Sequence, residues 1–354
     1  MQTLSGIAVR KAIHSGITEV DFNRLEFGKH VSDHMLVCDY KDGEWHRPHI
    51  VPFANLSISP SALALHYGQT VFEGMKAFRM DDGRINIFRL HRHYDRFARS
   101  LERMCMAVPP RDVFTEGMSQ LIALDRKWVP DGEGRSLYIR PFVYASEARF
   151  GIKISEEYRF IIFTGPVQDM YVKPIRVKVE NHYARASRGG TGFAKCGGNY
   201  GAAYYPTKIA REKGYDQVLW TDAKEHQYIE ESGMMNVMFV LNGRIVTPPL
   251  SDSILDGVTR DSLITLAKDM GFDVTERPVS VNEIESAFKE KAITEAFGAG
   301  TAAVVAPIGT ININETDYQL PPYHEMSVSR RLKQKLQQLR LGKSADTYEW
   351  NYIV

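Results

Sequence analysis

The chain has 354 residues, more than one hydrophobic core usually organises, so two domains are expected. Hydrophobic residues at 44% and charged residues at 25% are those of a folded globular protein, and 44 Lys and Arg against 43 Asp and Glu leave a net charge of +1. That balance excludes a global field drawing the chain to nucleic acid or an anionic membrane. Cys38, Cys105 and Cys196 are odd in number and scattered, which argues against a disulfide framework and for a reducing, cytoplasmic setting. Neither a secretory leader nor the run of ~20 apolar residues that a membrane span needs is visible.

In chain order, the spacing predicts a helix over His91–Met106 with Phe97, Leu101 and Met104 on one face and Arg96, Arg99 and Arg103 on another. His91 and His93, two positions apart on it, cannot share a face, so no metal site is expected. A second helix is predicted over Val113–Trp128, and strands over Ser136–Tyr144 and Tyr158–Thr164, rich in aromatic and β-branched residues. This is the pattern of a compact α+β lobe. From Gly165 to Pro174 the periodicity lapses into turn chemistry. The expected division is a small α+β domain over 1–166, a linker over 167–175 and a large domain over 176–354, opening with a strand at Ile175–Val179.

In the second half, Gly189-Gly-Thr-Gly-Phe-Ala-Lys195-Cys-Gly-Gly-Asn-Tyr200-Gly sets one lysine among small residues, where a planar ligand can approach the backbone. Taken alone, the segment reads more readily as a glycine-rich turn with a surface lysine. A phosphate-binding P-loop is disfavoured, because Ala194 and Cys196 stand where the second glycine and the metal-binding hydroxyl belong. Pro206 falls where a helix is expected after Tyr200, and an interior proline predicts a late start or a bend. Asn242-Gly243 between Val237–Leu241 and Arg244–Thr247 predicts a tight hairpin. A helix is predicted over Thr259–Met270, stopped by Gly271.

Several separated motifs occur in order: Ala64-Leu-His-Tyr67-Gly-Gln-Thr-Val-Phe72-Glu-Gly, Ile87-Phe-Arg-Leu-His-Arg-His-Tyr-Asp-Arg96, Leu137-Tyr-Ile-Arg140-Pro, and Lys195-Cys-Gly-Gly-Asn-Tyr200-Gly. Ile229-Glu-Glu231-Ser-Gly-Met-Met-Asn-Val, Leu255-Asp-Gly257-Val-Thr-Arg260 and Gly300-Thr301-Ala-Ala-Val-Val-Ala-Pro307 follow. Together, over roughly residues 33–307, they make the chain resemble the branched-chain aminotransferases, pyridoxal 5′-phosphate enzymes of fold type IV. That resemblance implies a mixed α/β, two-domain fold of the D-amino-acid-aminotransferase type, with the active site between the domains.

The resemblance also implies roles. Lys195 would hold the cofactor covalently and shuttle the α-proton, a task suited to an amine whose pKa falls on burial. Glu231 would face the pyridine nitrogen, which must stay protonated for the ring to draw in electrons; Glu230 is its rival, but strand neighbours point to opposite faces. The backbone N–H groups of Val258 and Thr259 at a helix start, the Thr301 hydroxyl and the Arg96 guanidinium would share the phosphate, with Tyr200 on the ring's 3-oxygen. Tyr67, Phe72, Tyr138 and Tyr171 would line an apolar pocket, Arg140 would take the side-chain carboxylate of glutamate, and Thr301-Ala302 the substrate α-carboxylate. The implied reaction is ping-pong transfer of the amino group from Leu, Ile or Val to 2-oxoglutarate through pyridoxamine phosphate, by a homodimer or higher homo-oligomer in which the loop Ala145–Ile154 reaches the partner's active site. Met234, standing where many relatives have a threonine, bears on cofactor affinity. D-amino-acid aminotransferase and aminodeoxychorismate lyase are the rivals within the fold type; a nucleotide-binding protein built on the glycine-rich loop is the rival outside it.

Overall fold

The structure, a computed structural model, describes residues 7–170 and 173–354. It divides into two compact units, one of residues 7–168, 194–198 and 339–354, the other of the described residues in 169–193 and 199–338. The change of unit after Gln168 falls within the expected linker. Two short segments depart from the expected division: Ala194–Gly198, which carries Lys195, and Leu339–Val354 both belong to the first unit. Strand pairing causes this, since Val71 bridges Cys196 and Asn351–Ile353 adds to Ile85–Phe88.

The first unit is built on a ten-stranded sheet. Its strands are β1 (Ala8–Val9), β2 (His34–Lys41), β3 (Glu44–Trp45), β4 (His49–Pro52), β5 (Thr70–Phe72), β6 (Met75–Arg79), β7 (Ile85–Phe88), β8 (Arg135–Ala145), β9 (Tyr158–Gln168) and the closing strand Asn351–Ile353. The order β1-β4-β2-β9-β8-β6-β7 ends on that closing strand, with β3 on β2 and β5 on β8. β8 and β9 pair over their full lengths, from Arg135 opposite Gln168 to Ala145 opposite Tyr158; both overrun the predicted ends because the ladder continues past the apolar stretch. Helix α1 (Leu63–Tyr67) is short, while α2 (Leu90–Arg103) and α3 (Arg111–Leu124, followed by a 3-10 turn to Trp128) match the predicted helices closely. Phe97, Leu101, Phe114, Met118 and Leu121 join Leu36, Ile139 and Phe160 in one core.

On α2 the three arginines do not share one environment. Arg96 is 4% exposed and buried with Phe97 and Leu101, whereas Arg99 and Arg103 face solvent. The predicted arginine face is corrected in this respect: a buried carboxylate, described below, draws Arg96 inward.

The second unit holds a nine-stranded sheet of β10 (Ile175–Val179), β11 (Gln217–Thr221), β12 (Ile229–Ser232), β13 (Met235–Leu241), β14 (Arg244–Thr247), β15 (Val274–Glu276), β16 (Ile293–Gly300), β17 (Val304–Ile313) and β18 (Thr316–Gln319). Their order is β12-β11-β10-β17-β16-β13-β14-β15, with β18 on β17 and a further β12–β13 pairing. The Asn242-Gly243 hairpin is present with φ of 49° and 74° at the two turn residues, the left-handed pair that a type I′ turn requires. Helices α4 (Gly198–Glu212), α5 (Val258–Asp269), α6 (Val281–Lys289) and α7 (Val328–Arg340) are the remaining α-helices among the described residues. Helix α4 begins eight residues before Pro206 and runs through it, so the expected late start is not met. Burial of Ala203 and Ala210 with Val218 and Trp220 holds the helix together, against the lost backbone donor at the proline.

Candidate active site

In the first unit, the lysine segment is tied to the sheet by backbone bonds. Phe72 N–H donates to the Lys195 carbonyl at 3.0 Å and Gly197 N–H to the Thr70 carbonyl at 3.2 Å. Ser100 Oγ accepts from Lys195 N–H at 3.0 Å and donates to the Arg96 carbonyl at 2.9 Å, joining the lysine's backbone to α2. The half-buried Lys195 places Nζ 4.9 Å from the centre of the Phe72 ring. Arg140 lies over the same ring at 4.8 Å and donates from Nη2 to Tyr138 Oη at 3.2 Å. The Arg140 Nε is buried with no hydrogen-bond partner among the described residues, an unmet donor that suits a carboxylate. Tyr138 packs so closely on Gly74 that a Cβ there would lie 1.9 Å from its hydroxyl. Lys195, Phe72, Tyr138 and Arg140 are thus brought together. Tyr67, at the end of α1, is 44% exposed, and Tyr171 lies outside the described residues.

Arg96 belongs to a buried network. Its Nε and Nη2 donate to Glu73 Oε1 and Oε2 at 2.6 and 2.9 Å, and His93 Nδ1 lies 2.9 Å from Oε2. Gly74 N–H also donates to Oε2. Glu73 is fully buried, yet the Arg96 charge and the bond from His93 hold its carboxyl well below the usual carboxylate range against the cost of burial. Burial pushes His93 down to about 4, so at neutral pH the ring is uncharged. Arg96 enters the interior as one half of a two-pronged ion pair.

In the second unit, β12 carries both glutamates in buried positions, and they diverge as strand neighbours must. Glu231 Oε1 accepts from Leu255 N–H at 2.7 Å and Asn236 Nδ2 at 3.4 Å; Oε2 lies 3.1 Å from Arg185 Nε. Glu230 instead accepts from the Ser253 hydroxyl, and burial raises its pKa. Asn236 Nδ2 also donates to the Leu255 carbonyl at 2.9 Å, so the β12–β13 hairpin grips the segment leading into α5. That helix opens at Gly257, where a Cβ would sit 1.9 Å from Asn236 Oδ1. No side chain caps it, leaving first-turn N–H groups at Val258 and Thr259 aligned as an anion site is built. Thr301 and Ala302, both half-buried, form the turn between β16 and β17, and Val304 after it holds a φ of 61°, a conformation β-branched residues rarely adopt. Tyr200, half-buried, stands in the first turn of α4, and Met234, 44% exposed, in the β12–β13 turn.

The chain is similar to known proteins. The family model for class IV amino-transferases matches residues 70–311. The chain belongs to the class IV aminotransferases. Among relatives of this family, branched-chain-amino-acid transaminase 1 of Bacillus subtilis is 45% identical over 94% of this chain and 95% of its own. A probable branched-chain-amino-acid aminotransferase of Staphylococcus epidermidis is 43% identical over 94% of each. Of solved structures, the branched-chain amino acid aminotransferase of Escherichia coli is similar with a TM-score of 0.71, 26% identity and coverage of 89% and 97%. A T.th. branched-chain amino acid aminotransferase with pyridoxamine 5′-phosphate gives a TM-score of 0.73 at 26% identity, covering 89% and 97%.

For a class IV aminotransferase, the residues that sequence reasoning did not single out are the supports. Glu73 lay within a quoted motif without a role, Ser100 and Arg185 in none. Their partners are remote in sequence, as with Glu73 and Arg96, so periodicity carried no signal for the pairing; the signal available was a charged residue inside an apolar run, as at Glu73. Among the described residues no helix is long and apolar enough to cross a membrane.

Proposed function

We infer that the chain is a branched-chain-amino-acid transaminase that moves the α-amino group of Leu, Ile or Val to 2-oxoglutarate with pyridoxal 5′-phosphate as its cofactor. The residues present fit that group: a half-buried lysine, a buried carboxylate paired with a cation, and an uncapped helix start whose glycine admits no side chain. Lys195 would hold it covalently, Glu231 would face its ring nitrogen and Tyr200 its 3-oxygen. Val258, Thr259, Thr301 and Arg96 would hold its phosphate. When bound, the cofactor supplies an electron sink that makes the substrate Cα–H acidic.

The protein's own groups do the rest. Lys195 Nζ would take the proton from the substrate Cα and pass it to the cofactor carbon within the same half-reaction, and would carry a proton the opposite way in the second. Glu231 keeps a negative charge where the ring nitrogen needs one. The N–H groups at Thr301-Ala302 would orient the α-carboxylate, and Tyr67, Phe72 and Tyr138 would wall off water around an aliphatic side chain, with Tyr171, outside the described residues, expected beside them from the family resemblance.

One observation carries the dual substrate range: Arg140, with an unmet buried Nε, shares the Phe72 ring with Lys195. An aromatic wall accepts leucine, and the adjacent cation accepts the side-chain carboxylate of glutamate. The visible spectrum of the purified protein tests the reading. A yellow band is expected to disappear with leucine and return with 2-oxoglutarate; absence of any such band after adding pyridoxal phosphate would sink it.

A further inference from the structure

We propose that Arg185 is a positioning residue for Glu231, keeping that carboxylate charged and aimed and thereby setting how firmly the protein holds the ring nitrogen of its cofactor. This rests on the reading that Glu231 faces that nitrogen. Glu231 is 3% exposed, and a carboxylate so buried takes up a proton unless a cation stays beside it. Arg185 is that cation. It is 8% exposed itself, with Nε 3.1 Å from Glu231 Oε2.

The guanidinium is anchored independently of the glutamate. Its Nη2 donates to the Gly192 carbonyl at 3.2 Å and to the Ser253 carbonyl. With that corner fixed by two loops, the guanidinium is held as an ion pair beside Glu231, its Nε 3.1 Å from Oε2 without donating a hydrogen bond to it; a lysine would supply charge without this fixed placement. Oε1 meanwhile takes neutral donors from Leu255 and Asn236, so one oxygen is oriented by dipoles and the other by charge. Glu230 shows the contrast. It receives the Ser253 hydroxyl, and its Oε2 is buried without a partner among the described residues, an environment that favours the neutral acid. Of two adjacent glutamates, the arginine selects which carries the charge.

The test compares pyridoxal phosphate with its 1-deaza analogue, which has carbon in place of the ring nitrogen, by absorbance titration of the cofactor-free protein. Arg185→Met is expected to weaken pyridoxal phosphate binding roughly ten- to a hundredfold, the lower part of the span of close buried charge pairs, and to affect the deaza analogue far less. Arg185→Lys should show the same selective loss in smaller degree. Equal weakening of both ligands in the arginine variants means a general structural role and overturns the proposal. Glu231→Gln separates the two layers of inference: if it fails to distinguish the ligands, the reading of Glu231 itself is wrong. If it distinguishes them and Arg185→Met does not, only the role of Arg185 falls. Should Arg185→Met not fold by circular dichroism, the lysine variant decides by the same comparison.

Discussion

Arg96, Arg99 and Arg103 are chemically identical and lie within eight residues of one another, yet only Arg96 is interior. The difference is Glu73, which a helix pattern cannot reveal because the pair spans 23 residues, from the connection between β5 and β6 to α2. His93, kept neutral beside that pair, makes a prediction. Its folded pKa of about 4 lies below the ordinary 6.5, so between those values the unfolded chain binds a proton that the folded chain refuses. Stability therefore rises with pH across that window and is lost on acidification from 6.5 towards 4, by on the order of 3 kcal/mol. Glu73, held low, adds a loss of the same sign further down. Thermal melts at pH 4–7 should fall more steeply for the unmodified protein than for His93→Gln; parallel curves would refute this. Two substitutions address the chemistry. Lys195→Ala should abolish turnover while leaving substantial cofactor binding, seen by titration. Arg140→Ala should lower kcat/KM for glutamate and 2-oxoglutarate at least tenfold more than for leucine, about the loss of one charged hydrogen bond; equal losses would refute the role given to Arg140.

At the scale of elements, what was legible followed from local chemistry. The hairpin at Asn242-Gly243, the stop of α5 at Gly271 and the strand at Ile175–Val179 all depend on neighbours in sequence. The strand orders were not legible, because β10 lies beside β17 and β2 beside β9, pairings fixed by packing across more than a hundred residues. That α4 starts early and runs through Pro206, where a late start or a bend was expected, has the same reason: Trp220 and Val218, on another element, outweigh a local penalty. Gly257→Ala belongs to this scale. Its Cβ would collide with Asn236, parting the β12–β13 hairpin from the start of α5, and cofactor release during dialysis should accelerate. Unchanged retention would show that the helix start does not hold the phosphate.

For the molecule as a whole, the loop after β8 presents Phe150, Ile152 and Ile154 at 99%, 86% and 60% exposure. Three large apolar side chains so close together are costly in water, as on surfaces that bind a partner. With the homodimer expected for the family, Phe150→Asp with Ile152→Asp should shift the protein towards monomer in light scattering and lower activity with it; a dimer of unaltered affinity would show that the loop faces solvent.

The closing strand has a consequence in time. Residues 351–353 occupy the edge beside β7, Trp350 offers its carbonyl to Arg89 at the start of α2, and the Lys195 segment joins the same unit from the middle of the chain. A ribosome delivers residues 7–168 first, but that unit is incomplete until residues 351–353 have been made. The second unit, whose residues end at 338, has no such wait. Although the N-terminal portion emerges earlier, it is the later-made unit that can finish folding first, and the nascent sheet keeps the outer side of β7 unpaired until residues 351–353 arrive.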